Sequence, residues 1–206
     1  MKIYTLQLGS LGANCYIIET QPGQCVAVDV GGDADRFLNF LNSKKLRLSK
    51  IFLTHGHFDH IGGVAETSAK TGAEVYIHEN DSVMLENKSA SLAAMAFAEY
   101  TPVKNYISIS GDSYITDGNL TFRVLHTPGH SMGSVCYICE NNIFSGDTLF
   151  CGSIGRTDFP GSNVSMMRQS LKTLKELPGN YSVYPGHNES TDLNYERNNN
   201  PYLRTS

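Results

Sequence analysis

The chain has 206 residues, a formal net charge of −4 and 17 % charged residues, a length that suits one core and a charge balance without a basic block for a nucleic-acid backbone. No run approaches the roughly 18 apolar residues of a membrane span, and the opening MKIYTLQLG moves straight into strand-like alternation, unlike a secretory signal. The expectation is one domain over residues 1–206, cytoplasmic, monomeric or homodimeric, with neither nucleic acid nor membrane as partner.

KIYTLQL, NCYIIET and CVAVDV are apolar or alternating runs between turn signals and predict three strands. DADRFLNFLNSKK predicts an amphipathic helix with Phe37, Leu38 and Leu41 on one stripe. LSKIFLT predicts a buried strand, Asp59 to about Thr71 a helix, and AEVYIHE another strand. Residues 80–99 predict a helix broken near Asn87–Lys88. Its Met84, Leu85, Leu92, Met95 and Phe97 either rim a pocket or simply cover a sheet. LTFRVLH, SVCYICE and NNIFSG predict strands. Ser162 to about Leu177 predicts a helix with Met166, Leu171, Leu174 and Leu177 as its apolar side. A last short strand, YSVYPG, precedes a polar tail with a turn or two of helix at most. Strand–helix units early and late, with antiparallel candidates between, suggest two sheets covered by helices.

Cysteines 15, 25, 136, 139 and 151 are an odd, scattered set and no disulfide framework. Cys136 and Cys139, three apart on a strand, point to opposite faces and do not share a metal.

THGHFDH, residues 54–60, concentrates ligand-type residues at a strand end. His55 and His57 share a side of an extended backbone, and Gly56 lets the chain pass close to whatever they hold. Asp59 and His60 fall where the strand gives way to a helix. Two imidazoles facing one way, with Asp–His beside them, can serve two adjacent cations. TPGHSMGS, SGDTLF and YPGHNES then place His130, Asp147 and His187 in loops at other strand ends, where rigid scaffolds mount functional groups. His78 and His126 end strands without a surrounding motif and stay outside the ligand set. Asp29, ending CVAVDVGG, either orients a ligand imidazole through its far nitrogen or caps a turn with Gly31 or Gly32. Arg156 and Asp158 in GRTD form a local pair, or Arg156 meets an anionic substrate. Thr54 and Ser131 carry hydroxyls that brace the ligand loops.

THGHFDHIGG, TPGHSMGS, GDTLF and PGH together resemble the successive motifs of the metallo-β-lactamase-fold hydrolases. GSIGRTDFPGS and the closing NPYL are similar to the short glyoxalase II-like (hydroxyacylglutathione hydrolase-like) branch. The resemblance implies an α+β fold, a four-layer αββα sandwich with a dinuclear site at one edge of the sheets. It implies that His55, His57 and His130 hold one metal, that Asp59, His60 and His187 hold the other, and that Asp147 bridges them. An aspartate at the place of Asp29 supports the metal-binding loop in that family.

Nitrogen and carboxylate donors without thiolate suit two divalent ions, Zn²⁺ first and Fe or Mn as alternatives. Such a pair can lower the pKa of a shared water and stabilise an oxyanion. Asp59 would orient the water or shuttle its proton, so Asp59, Asp147 and His187 form the expected catalytic set. The implied substrate is a small thioester such as an S-2-hydroxyacylglutathione. Long glyoxalase II enzymes draw glutathione contacts from an added C-terminal helical domain. This sequence ends about twenty residues after His187, which leaves Lys88, Arg156 and Arg168 as candidates for the glutathione carboxylates. PGHN departs from the commoner PGHG, so Asn188 either alters the loop or reaches toward substrate. The alternatives are a persulfide dioxygenase, which GRTDF also resembles, using a single iron held by the histidines around His57 with His130 and Asp147, and a hydrolase of another small ester, lactone or amide. A zinc-cysteine lactamase would present cysteine where Asp147 stands, and Cys151 is not that position.

Overall fold

The computed structural model describes residues 1–204. Its first sheet has the order β1 (Lys2–Leu8), β2 (Ala13–Gln21), β3 (Gln24–Val28), β4 (Arg47–Phe52), β5 (Glu74–His78) and β6 (Ile107–Ile109). Helix α1 (Ala34–Lys44) joins β3 to β4, and α2 (Phe58–Ile61) with α3 (Val64–Thr71) joins β4 to β5. These helical crossovers make β3, β4 and β5 mutually parallel, and β6, reached through residues 79–106, is parallel to β5, whereas the tight β1–β2 and β2–β3 connections are antiparallel. The second sheet is built from β7 (Ser113–Asp117), β8 (Leu120–His126), β9 (Val135–Cys139) and β10 (Asn142–Gly146) as an antiparallel meander. A small β11 (Leu149–Phe150) and β12 (Ser153–Ile154) hairpin and α4 (Val164–Lys175) follow. The chain then returns to the sheet as β13 (Ser182–Pro185), parallel to β10, and β14 (Thr191–Asp192), before α5 (Leu193–Asn199) and α6 (Pro201–Arg204).

Strand alternation explains the layering. On β2, Cys15 and Ile17 pack under α1 and α3 with Phe37, Leu41 and Val64, while Tyr16 and Ile18 face the second sheet. On β3, Cys25 and Ala27 divide from Val26 and Val28 in the same way. Such strands are buried on both faces and read as unbroken apolar runs. A third apolar layer joins Cys136, Ile143 and Val183 to Met167, Leu171, Leu174, Leu193 and Leu203 of the covering helices. Three apolar layers between four structural ones give the αββα sandwich. Cys136 lies in the outer layer and Cys139 in the inter-sheet layer, and all five cysteines are free thiols.

Several elements differ from the sequence expectation. The helix expected from Asp59 to Thr71 is two helices, because Gly62 and Gly63 pack against Gly31 and Gly32 so closely that a side chain would strike backbone at 2.7 Å. Residues 80–99 form a 3-10 helix over Glu79–Leu85 followed by turns, with Leu92 and Phe97 at positive φ. Met167, and not Met166, is the buried methionine of α4, whose start is fixed by the Asn163 side chain accepting from the Ser165 and Met166 amides. The tail carries more structure than a turn or two, because Leu193 and Leu203 are fully buried.

Phe52 stands at the centre of the inter-sheet layer. It stacks on Tyr137 at 5.0 Å and meets the edge of Phe122 at 5.0 Å. Phe52→Ala is expected to lower the free energy of unfolding by about 3–5 kcal/mol, read from urea denaturation. A loss below about 1 kcal/mol would show that the two sheets are not held at this ring.

Candidate metal centre

Parallel pairing brings the carboxyl ends of β3 and β4 to one edge of the first sheet, and the ends of β10 and β13 to one edge of the second. Asp29, His55, His57, Asp147 and His187 all follow those ends, the position where open α/β sheets place their sites. The two edges are stitched together. The Val135 amide donates to the Thr54 carbonyl at 2.8 Å, and the Asn14 amide to the Gly186 carbonyl at 2.8 Å. The Tyr16 hydroxyl donates to the Pro185 carbonyl at 2.6 Å and the Tyr137 hydroxyl to the Leu53 carbonyl at 3.0 Å.

The seven residues singled out as ligands converge in this seam. His55, His57 and His130 form one group of mutually facing ligand atoms, and Asp59, His60 and His187 a second. His57 Nδ1 lies 2.9 Å from His130 Nε2, and His60 Nε2 lies 3.3 Å from His187 Nε2. Asp147 sits between the groups, with Oδ1 3.4 Å from His60 Nε2 and Oδ2 3.5 Å from His130 Nε2. Gly186 is what admits this carboxylate: a Cβ there would stand 2.2 Å from Asp147 Oδ1 and 2.8 Å from His60.

The far sides of three of the rings are tied down. His60 Nδ1 donates to Asp29 Oδ2 at 2.9 Å, and His130 Nδ1 donates to the Arg156 carbonyl at 2.9 Å. The Thr54 hydroxyl donates to Asp29 Oδ2 at 2.7 Å, so it accepts from His55 Nδ1 at 3.0 Å. These bonds leave the Nε2 lone pairs of His55 and His130 turned inward. His55 Nε2 and Asp147 Oδ1 are buried and make no hydrogen bond. Buried acceptors left without a hydrogen bond are costly, and a divalent cation is a group that satisfies them. The donor set fits one.

Charge distribution points the same way. Burial, reinforced by the neighbouring rings, pushes His55 well below its ordinary value and His57 down to about 3, so both are neutral and ligand-competent. Burial would lower His60 as well, but Asp59, Asp147 and Asp29 outweigh it and hold its pKa up at about 10. Burial opposes the charge on Asp59, yet His60 and His187 hold its carboxyl far below the usual range. The carboxylates thus gather enough negative potential to demand a positive charge, and a proton on His60 supplies it where no metal does.

Asp29 lies against a histidine ring and the Thr54 loop. Its oxygens accept from the Thr54 amide at 2.8 Å, the Thr54 hydroxyl and His60 Nδ1, and its φ of 54° holds it in a left-handed conformation that turns the carboxylate into the seam. Asp29 also groups with His55 and His60 by distance, but it is engaged on the far side of the rings. Arg156 and Asp158 form a bidentate pair at 2.7 and 2.8 Å. Asn188 has a φ of 64°, and its carbonyl accepts from the Asn14 side chain at 2.9 Å, so it keeps the left-handed turn that glycine usually supplies.

Asp81 stands in no motif of its own. Fully buried, it accepts from the Gly56 amide at 3.1 Å, the Ser131 hydroxyl at 2.6 Å and the Gly133 amide at 2.7 Å. It therefore locks the His55–His57 loop to the His130 loop. Burial pushes its carboxyl up. Ser131 braces its loop through this carboxylate, as its hydroxyl suggested. His78 and His126 stand apart from both ligand groups and stack on each other at 4.0 Å with planes 10° apart. A cavity of about 420 Å³ opens in front of the ligands, walled by Leu11, Phe58, Leu92, Met95, Phe150, Ile154 and Phe159 among others. Met84 and Leu85 of the segment considered for a pocket rim are core, while Leu92 and Met95 do line the cavity.

Two sheets, covering helices and a histidine–aspartate seam at their edge define a metallo-hydrolase class of protein. A family model of the metallo-beta-lactamase superfamily matches residues 8–187, and the chain belongs to that superfamily. It is 36 % identical to a Bacillus subtilis (strain 168) protein named as a probable metallo-hydrolase, YqgX, over 98 % of both chains. It is 29 % identical to the hydroxyacylglutathione hydrolase GloC of Haemophilus influenzae, over 100 % of this chain and 99 % of GloC. Among solved structures, the BLEG-1 B3 metallo-beta-lactamase superposes with a TM-score of 0.93 at 34 % identity, covering 98 % of this chain and 99 % of that one. TTHA1623, solved in a di-iron-bound form, gives 0.85 at 36 % identity, with 97 % and 99 % covered. ETHE1 from Myxococcus xanthus gives 0.83 at 28 % identity, with 100 % and 86 % covered. No helix among the described residues is long and apolar enough to cross a membrane.

The His60 proton gives a pH dependence with a definite sign. Its folded pKa of about 10 lies above the ordinary 6.5, so its contribution to the stability of the metal-free protein is fully present below pH 6.5. That contribution drains away as pH climbs toward 10. A cation entering at pH 7.5 is expected to displace about one proton per chain from this ring, measured by titration calorimetry in buffers of different ionisation enthalpy. Zero net release would refute the assignment. Asp81→Ala, which strands the Gly56 and Gly133 amides, is expected to lower unfolding free energy by about 2 kcal/mol or more and to speed metal loss to a chelator. Unchanged retention would mean that the two loops hold their own shape.

Proposed function

We propose that the chain is a metal-dependent thioester hydrolase acting on an S-2-hydroxyacylglutathione or a related small thioester. His55, His57 and His130 hold one divalent ion, Asp59, His60 and His187 hold a second, and Asp147 lies between them. The observation that carries this reading is the Asp147 carboxylate, one oxygen toward His60 and the other toward His130. The end-to-end similarity to GloC supports a thioester as the substrate class. Nitrogen and carboxylate donors favour zinc, and the di-iron form of TTHA1623 supports iron as the other candidate.

Bound there, two divalent ions supply a water of lowered pKa and Lewis acidity toward a carbonyl oxygen. The chain's own residues do the rest. Asp59, kept ionised by its histidine neighbours, accepts a hydrogen bond from the attacking water and orients it; a carboxylate so far below the usual range is no general base of high pKa. Phe150, Ile154 and Phe159 wall the cavity and exclude bulk water around the scissile bond. His187, at the cavity wall beside Asp59 at 3.2 Å, completes the catalytic set with Asp59 and Asp147. The water gives up one proton to solvent as its oxygen joins the carbonyl carbon; the C–S bond then breaks with its electron pair leaving on sulfur, and the carboxylic acid formed loses its remaining proton to solvent. Thiols have a pKa of about 8.5, so the thiolate departs without an acid to protonate it.

The second reading is a dioxygenase using one iron. GRTDF supports it, and the similarity to ETHE1 extends over the whole chain. The metal-loaded protein, assayed for thiol release from thioesters and in parallel for oxygen uptake on glutathione persulfide, separates the two. Thiol release that disappears on chelation and returns with zinc or iron is expected. Oxygen uptake without thioester turnover would install the dioxygenase, and turnover of a β-lactam alone would assign an amide substrate. Asp147→Ala is expected to lose on the order of a hundredfold or more in turnover and part of the bound metal, with unchanged far-UV circular dichroism. Full metal content by elemental analysis would remove Asp147 from the ligand set.

A further inference from the structure

The cavity in front of the ligands also bears on which thioester enters it. At about 420 Å³ it has the size of a small-ligand site. Apart from the aspartates and histidines of the metal centre, Arg156 is the one ionisable side chain among the described residues on its wall. That guanidinium is already committed. Its Nε and Nη2 edge is engaged by both oxygens of Asp158, and its face lies over the Phe159 ring at 4.1 Å. The Nη1 donors stay available, but the paired Asp158 carboxylate offsets the guanidinium charge that an anionic carrier would otherwise meet. Lys88 and Arg168, the other cations considered for an anionic carrier, do not line the cavity.

Apart from the uncharged polar residues Ser153 and Asn188, the remaining wall is apolar and is assembled from separate segments. Leu11 comes from the β1–β2 turn, Leu92 and Met95 from the turns after the 3-10 helix, Phe58 from α2, and Ile154 and Phe159 from the hairpin region. Leu11 and Met95 are each 57 % exposed. A single exposed apolar side chain means little. Two of them from distant parts of the chain, meeting buried Leu92 at one mouth beside the ligands, form a surface suited to an apolar group.

We propose that this cavity takes an uncharged, mainly apolar substituent of the thioester, aliphatic or aromatic, and discriminates against an anionic carrier such as glutathione. The proposal rests on the thioesterase reading and chooses, within it, the related small thioester over the glutathione conjugate.

The test uses the full metal-loaded chain and matched pairs: acetyl, butyryl and hexanoyl thioesters of N-acetylcysteamine, which is uncharged, and of glutathione. Thiol release should rise about three- to fourfold in kcat/KM per methylene while the chain fits, and should be at least tenfold faster for the uncharged member of each pair. Met95→Glu, a change at an exposed position that the fold tolerates, should abolish most of the hexanoyl-over-acetyl preference. Glutathione thioesters turned over as well as their uncharged partners, or a preference untouched by Met95→Glu, would overturn the proposal. Calorimetric binding of two non-hydrolysable thioethers, S-hexyl-N-acetylcysteamine and S-hexylglutathione, reads the cavity independently of turnover. At least tenfold tighter binding of the uncharged thioether is expected, and equal or tighter binding of S-hexylglutathione refutes the proposal. Tighter binding of the uncharged thioether, with no thiol released from any ester, would overturn the thioesterase reading and leave the cavity's preference standing.

Discussion

A single buried carboxylate, Asp29, connects the two groups of candidate metal ligands. It holds His60 directly, and it holds His55 through the Thr54 hydroxyl. One ring belongs to each ligand group, so the groups cannot rotate independently. Removing one partner from such a network leaves the others buried and unpaired. The strained φ of Asp29 is the backbone cost of delivering this carboxylate to the seam, and the hydrogen bonds it accepts offset that strain.

The sandwich exists to make the seam rigid. Aromatic stacking of Phe52 with Tyr137 fixes the spacing of the sheets at their centre. At the edge, main-chain and tyrosine hydrogen bonds cross from one sheet to the other. Asp81 adds a tie outside both sheets, joining the loop after β4 to the loop between β8 and β9. Each ligand loop is therefore fastened to a loop from another element as well as to its own strand. That arrangement holds five imidazoles and the carboxylates of Asp59 and Asp147 within a few ångströms of one another.

How much of this is legible in the letters depends on sequence distance. HxHxDH places its ligands within six positions, and strand periodicity alone shows that two of them share a side. The PGH loops and GDT mark further strand ends, so the convergence is readable from motifs and the layering from alternation. Asp81 is not, because its partners lie 25, 50 and 52 residues away and no local pattern announces a carboxylate that accepts from amides. The break at Gly62–Gly63 is equally hidden, since it is caused by Gly31 and Gly32 across the fold. Local helical pattern favoured one continuous helix there, and tertiary contact prevailed. The segment after the 3-10 helix shows the converse: its apolar residues follow helical spacing, but Leu92 at a φ of 66° interrupts any helix and turns toward the cavity.

Chemistry and selectivity are thus carried by different kinds of structure. Behind the ligands, the rings of His55, His60 and His130 are oriented by hydrogen bonds on their far sides. A cation meets lone pairs that already face it, so binding does not have to order the loops. In front of the ligands the wall comes from turns and short hairpins whose contacts are mostly apolar and non-directional. Substitution at Leu11 or Met95 alters the shape and polarity of that wall without touching Asp29, Thr54 or Asp81. Phe159 and Phe150 do pack on the rings of His57, His130 and His187, so it is the mouth at Leu11 and Met95, and not the whole wall, that can change with the substrate while one metal geometry is kept.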